Sequence, residues 1–212
     1  MARIHPRVVV ATRAQLQARR KTLEDGAEHV GWKIALGIEE VEALVGADPV
    51  LGHITTATLL EPGGTFAGAD AARQLRAQTE LAIEVGPEET VAGLAVALEI
   101  LDTGRPPDGL EEIIIANVYH RGVAFGPTHA VATISPATAS LLVGGQTGEV
   151  APLSTAPGET VSAVARLLGA AGERLRPGDR ILAGSACHVP VQAGDEVVAE
   201  IDGLGAVALR IA

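Results

Sequence analysis

Two glutamates interrupt segments that are otherwise apolar and alternating. From Gln78 onward, Leu81, Ile83 and Val85 fall on one side of a strand, so Gln78, Glu80, Ala82 and Glu84 share the other. In a second segment Val96, Leu98 and Ile100 alternate with Ala97, Glu99 and Leu101. A carboxylate so placed is either solvated or partnered by positive charge, because burying it alone costs several kcal/mol. If the two faces meet, Glu80 and Glu99 converge as hard oxygen donors suited to Mg²⁺ or Mn²⁺, and Gln78 adds a carbonyl oxygen. Two exposed strand faces would give the same pattern with no chemistry. Lys33 stands in Gly31-Trp32-Lys33-Ile34, beside the only tryptophan. A lysine in that setting can move protons as acid or base, or can pack its stem on the core with its ammonium in water.

Further polar groups follow. His120 and Arg121, after Asn117-Val118-Tyr119, can relay a proton or bind a carboxylate, or can form a polar loop. His53, after Gly52, either faces a cleft or sits in a loop. Gly184-Ser185 ends a predicted strand, where backbone N–H groups and a hydroxyl can hold an anionic oxygen, or where the chain simply turns. Cys187 and His188 are adjacent, and neighbours on an extended segment point to opposite faces, so they make no nucleophile pair. His5, His29 and His129 have no neighbours that single them out.

Elements must position these side chains. Thr12 and Gln15 have capping-box spacing and Gly26 suits a stop, which predicts a helix over 12–25. Ile38, Val41, Leu44 and Val45 predict a short second helix before Gly46. The β-branched run 113–115 reads as a buried strand, and Val161, Val164 and Leu168 as a helix. Turns at Pro177-Gly178-Asp179 and Ala193-Gly194-Asp195 introduce strands over 180–183 and 197–201. Asp202-Gly203 is a hairpin signal before 204–211. Helices early and strands late predict an α+β fold with a mixed, rolled or barrel-like sheet. No GxGxxG follows a strand and no P-loop is present, so nothing supports a nucleotide site.

The chain has 212 residues, 47% of them hydrophobic, which is enough for one domain with a real core. An N-terminal helical segment over 1–30 and a catalytic unit over 31–212 are expected. A net charge of −10 argues against nucleic acid as a partner, and 2% aromatic content argues against stacking platforms for bases or sugars. Cys187 is the only cysteine, so neither an internal disulfide nor a multi-thiolate zinc site can form. With no charged-then-apolar leader and no apolar run of about 18 residues, a soluble, cytoplasmic protein without a membrane partner is expected.

Together these segments resemble the 2-keto-4-pentenoate hydratase and oxalocrotonate decarboxylase group of the fumarylacetoacetate hydrolase superfamily. Gly31-Trp32-Lys33-Ile34 is similar to G-W-K-(I/V)-G, and Pro49-Val50-Leu51-Gly52-His53-Ile54 to P-(V/F)-x-G-x-L. Glu80-Leu81-Ala82-Ile83 is similar to E-x-E-(I/L)-A, and Ala97-Leu98-Glu99-Ile100-Leu101-Asp102 to A-L-E-(I/V)-x-D. Asn117 to Gly126-Pro127, then Gly178-Asp179-Arg180-Ile181-Leu182-Ala183-Gly184-Ser185 and the tail over 191–210 follow in the family's order. The resemblance implies the mixed β-roll of the superfamily's C-terminal type, a homo-oligomer and a divalent cation, Mg²⁺ or Mn²⁺. It implies Glu80 and Glu99 as metal ligands with Gln78 weaker, and Lys33 as acid/base. His120 or Arg121 would meet the carboxylate of a 2-oxo or 2-hydroxydienoic acid whose enolate the metal stabilises. The expected activity is that of a lyase, hydratase before decarboxylase. Three departures stand out: Gln78 replaces a glutamate, Thr55-Thr56 stands where many members have an acidic residue, and Ala35 replaces a glycine. They make a metal-independent isomerase or cyclase the alternative, and a non-catalytic binding protein the second.

Overall fold

The computed structural model describes residues 4–35, 49–69, 73–104 and 109–212. The helix expected near residues 38–45 lies outside these. The chain runs α1 (Pro6–Glu24), β1 (His29–Ala35), β2 (Val50–Thr55), β3 (Thr65–Phe66), β4 (Leu75–Val85), β5 (Val91–Asp102), α2 (Leu110–Ile115) and β6 (His120–Phe125). It continues through β7 (Thr138–Val143), β8 (Gln146–Pro152), α3 (Pro157–Ala171), β9 (Arg180–Pro190), β10 (Glu196–Ile201) and β11 (Gly205–Ile211). This is the expected α+β class, strand-rich, with a curled half-barrel sheet.

Six strands form one sheet in the order β2-β1-β9-β4-β5-β6, and five form a second in the order β3-β11-β10-β7-β8. The first sheet is mixed, with β1 parallel to β9 and antiparallel to β2. β10 and β11 pair across the hairpin that Asp202-Gly203 signalled. Alternation along β4 and β5 gives each a two-sided role. Leu81, Ile83, Val96, Leu98 and Ile100 join Val197, Ala199, Val207 and Leu209 of the second sheet and Val161, Val164 and Leu168 of α3 in the main core. The opposite face carries a smaller apolar cluster of Ile54, Ala82, Ala95, Ala97, Val123, Phe125 and Leu182. Both faces of the alternating strands are therefore buried.

Gly31 allows β1 to meet β9. A Cβ there would lie 1.9 Å from the Arg180 carbonyl oxygen, so no side chain fits without parting the strands.

Four expectations need correction. Gly184-Ser185 does not end a strand: β9 continues from Arg180 to Pro190 through a bulge at that point. The first helix begins at Pro6, which suits the first helical turn, with His5 as N-cap accepting from the Arg7 N–H. Thr12 and Gln15 lie inside that helix and are buried. Gln15 Nε2 donates to the Leu51 and Ile114 carbonyls at 2.7 and 2.6 Å, so this amide ties α1 to β2 and α2 instead of capping. The run 113–115 belongs to helix α2, because Leu110, Ile113 and Ile114 are buried at helical spacing while Ile115 is 46% exposed. Helices are not confined to the start either, since α2 and α3 fall between strands.

Candidate active site

Lys33, Gln78, Glu80 and Glu99 come from three strands of the first sheet, and His120 from a fourth. Gln78 sits directly opposite Glu99 across β4 and β5. The same strand faces carry Ala82, Ala95 and Ala97, so the polar groups stand beside small apolar side chains. Lys33, Glu80, Glu99 and His120 are all at least 95% buried.

Lys33 Nζ donates to both Glu99 oxygens at 2.9 and 2.8 Å and to the Val118 carbonyl at 3.3 Å. Three acceptors around one nitrogen match the three donors of an ammonium. His120 Nδ1 meets Glu99 Oε1 at 2.7 Å, and its Nε2 meets Thr58 Oγ1 at 2.9 Å. Burial alone pushes Glu99 upward, but the Lys33 ammonium and the His120 hydrogen bond overcome it and hold this carboxyl below the usual range.

Glu80 has the opposite environment. Burial first, then the Glu99 charge, push it up to about 8, against the pull of Lys33 and of the Gly184 N–H. Its Oε2 is buried with no hydrogen-bond partner. The Gly184 N–H reaches Glu80 because β9 bulges there: the register against β4 shifts on either side of Glu80, and Gly184 has φ +106.

No family model and no curated protein sequence matches the chain. Solved structures do. The chain is similar to 4-oxalocrotonate decarboxylase from Pseudomonas putida G7, complexed with magnesium and adipate, at TM-score 0.81 and 19% identity over 95% of this chain and 85% of that one. It is similar to fumarylpyruvate hydrolase from Pseudomonas aeruginosa with Mn²⁺ and pyruvate, at TM-score 0.64 and 19% identity over 87% and 89%. It is also similar to 5-carboxymethyl-2-hydroxymuconate delta-isomerase from Mycobacterium smegmatis, at TM-score 0.63 and 21% identity over 87% and 79%. This is the fumarylacetoacetate hydrolase fold.

Within this fumarylacetoacetate hydrolase fold, not every expected side chain reaches the cluster. Arg121 follows His120 on β6 and turns away. Its guanidinium donates to the His120 carbonyl and lies 3.8 Å from Asp102. His53 pairs with Trp32, and alternation puts it on the side opposite Lys33. Asn117 clamps its peptide with two hydrogen bonds of 2.7 and 2.9 Å. Burial, then His120, Arg19 and His29, lower His53 to about 4, so its ring is neutral. Ser185 is exposed, gives its hydroxyl to the Cys187 carbonyl, and lines a cavity of about 940 Å³ together with Gly184, Ser154, Thr155 and Arg166. Cys187 is buried and His188 exposed, as alternation required.

Sequence reasoning missed two features. Thr58 holds the far nitrogen of His120, and a lone threonine after Thr55-Thr56 gives no signal for it. Asp179, 5% exposed, accepts from Trp32 Nε1 at 2.9 Å, from His29 Nε2 at 3.1 Å and from the Arg176 N–H, while Arg19 stacks over the Trp32 ring at 4.8 Å. The neighbour of Lys33 is thereby pinned from both α1 and the turn before β9.

The donor set fits a divalent cation. Glu99 offers about four lone-pair directions; Lys33 takes two, His120 one, and the last, on Oε2, faces Gln78. The Gln78 amide atom nearest the carboxylates lies 3.2 Å from Glu99 Oε2 and 3.2 Å from Glu80 Oε1. That spacing is close to the roughly 2.9 Å edge of an oxygen octahedron around a hard cation. Among the described residues no three His, Cys, Asp or Glu side chains form a metal cluster, and the Gln78 amide is the neutral group that stands between Glu80 and Glu99.

Proposed function

We propose that this chain is an enzyme that moves protons on a small 2-oxo or 2-hydroxydienoic acid through its enol form, with hydration of a conjugated 2-hydroxydienoic acid as the net reaction. The observation that carries this is the buried Lys33 ammonium held by both oxygens of Glu99, with His120 on the same carboxylate. Lys33 enters as the acid and gives a proton to the terminal carbon of the diene, the 2-hydroxyl proton returns to the lysine as the 2-oxo group forms, and water then adds across the remaining double bond, its hydroxyl and its proton ending on the two carbons of that bond. Glu99 stays ionised and steadies the lysine in both of its proton states, and His120 fixes the carboxylate from the other side. Ala82, Ala95 and Ala97 beside the cluster lower the local polarity around the Lys33–Glu99 pair and strengthen it. Glu80, Glu99 and Gln78 would hold a divalent cation, which when bound supplies Lewis-acid polarisation of the 2-oxo group. The adipate and pyruvate held by fold neighbours support a small carboxylic acid as the substrate class. We take the working unit to be a cytoplasmic homo-oligomer; sedimentation velocity showing only monomers would correct that.

The test is exchange of C3 protons of a 2-oxo acid with D₂O, followed by NMR. Lys33→Met should slow it by about 10² or more. Undiminished exchange in Lys33→Met removes the lysine from the mechanism. A second reading, a metal-independent isomerase or cyclase, is favoured by one observation: the Gln78 amide can donate to one oxygen of each carboxylate without a cation. Exchange that survives thorough chelation would select it.

A further inference from the structure

A carboxylic acid approaching a chain of net charge −10 needs a cation to meet it. Arg121, expected for that role, and Arg73 both lie beside Asp102, at 3.8 and 3.9 Å. A third arginine stands on the face of the site itself. Along β4 Leu75 and Ala77 enter the main core, so Arg76, Gln78 and Glu80 share the opposite face. The pairing is regular here: Arg76 meets Leu101 of β5 and Pro190 of β9, and Gln78 meets Glu99 and His188. Arg76 is therefore one same-face step, about 7 Å, beyond Gln78. A long arginine stem spans such a step and leaves the charged head toward water.

The surroundings of Arg76 leave its charge available. It makes one long hydrogen bond, from Nη2 to the His188 carbonyl at 3.4 Å, and no ion pair among the described residues. Glu149 of β8 also reaches this rim, where its Oε2 is taken by the His188 N–H at 2.7 Å. Glu80 is buried, Gln78 and Arg76 are half-buried, and His188 and Pro190 are exposed, so from Glu80 the face opens toward Arg76. Lys33 enters from the other end. It pairs with Leu182, which pairs with Ala82, three same-face positions along β4 from Arg76.

Resting on the proton-transfer reading, we propose that Arg76 is the residue that receives the substrate carboxylate, holding it at the mouth with the carbon chain pointed inward to Lys33. A guanidinium presents two parallel N–H groups that match the two oxygens of a carboxylate. Having no salt bridge to break, Arg76 makes that pair at no cost to the fold. It thereby sets the direction of binding: the acid end lies at Arg76, and the carbon that gains a proton lies toward Lys33.

The test measures pyruvate binding to the whole chain by calorimetry in excess Mg²⁺, with methyl pyruvate as the uncharged counterpart. Pyruvate should bind the natural chain and lose about 10- to 100-fold in affinity in Arg76→Gln, as for a lost charge-assisted pair. Methyl pyruvate should bind the natural chain at least as weakly as pyruvate binds Arg76→Gln. Arg76→Lys, which keeps the charge but not the fork, should fall between the natural chain and Arg76→Gln, and it carries the test if Arg76→Gln does not fold. Pyruvate affinity unchanged in both variants, an ester that binds the natural chain as well as pyruvate does, or no pyruvate binding to the natural chain overturns the assignment. These readouts do not involve turnover. If they come out as expected while the C3 protons of bound pyruvate fail to exchange with D₂O, the proton-transfer reading fails alone.

Discussion

Removing Lys33 should reveal how strongly the buried pair with Glu99 is coupled. Lys33→Met keeps a long apolar stem but deletes both charged hydrogen bonds to Glu99, leaving a fully buried carboxylate with His120 and Gln78 as partners. Breaking one side of a buried ion pair costs about 3–5 kcal/mol, because the remaining charge stays desolvated. At about 2.1 cal/mol/K per residue, the unfolding entropy of a chain this long is roughly 0.45 kcal/mol/K, so the melting temperature should fall by about 7–11 °C. Glu99→Gln should cost a similar amount for the mirror reason. In the double variant both charges are gone, and its loss should be smaller than the sum of the two by about 2 kcal/mol or more. Urea titrations of all four proteins in chelator would measure the cycle. Single losses below about 1 kcal/mol that simply add, as for an exposed pair, would refute the account of a dry, mutually dependent site.

Three further outcomes are expected. His53 is held down to about 4 in the folded chain against an ordinary 6.5, so the unfolded chain takes up this proton first. The stability it supports is complete above pH 6.5 and is lost as pH falls through 4, on the order of 3 kcal/mol, and His53→Gln should flatten that part of a urea-midpoint profile. Gly31→Ala places a Cβ 1.9 Å from the Arg180 carbonyl oxygen, so β1 should separate from β9 and the cooperative transition seen by Trp32 fluorescence should vanish. Trp32→Phe removes the indole N–H from buried Asp179 and should cost about 1–3 kcal/mol in urea, while a change near zero would mean that water replaces it.

What the sequence made legible follows from where local pattern and tertiary structure agree. Alternation placed Glu80 and Glu99 on the faces opposite the main core, and pairing of β4 with β5 brought them together. The same logic failed for 113–115, where three isoleucines read as a strand but only the longer spacing of Leu110, Ile113 and Ile114 reports the buried side. Thr12 and Gln15 have the types of a cap, yet Gln15 answers two carbonyls from distant parts of the chain, which no local spacing encodes. His120 and Arg121 read as a joint site in the sequence, but as neighbours on β6 they point apart, and His120 meets Glu99 while Arg121 turns to the His120 carbonyl and Asp102. Thr58, His29 and Asp179 acquire their partners only through the fold.

The parallel pairing of β1 with β9 has a kinetic meaning. His29 and Asp179, joined at this seam, are 150 positions apart, and Lys33 and Glu99 are 66 apart. Such closures exact their chain entropy before any contact rewards them, which gives the molecule a high contact order and a slow search. Every strand that contributes to the Lys33–Glu99–His120 cluster has to arrive before the cluster exists. A refolding chain should regain helical signal early and the proposed exchange of a substrate proton last, so recovery of that proposed activity would serve as a clock for completion of the whole sheet.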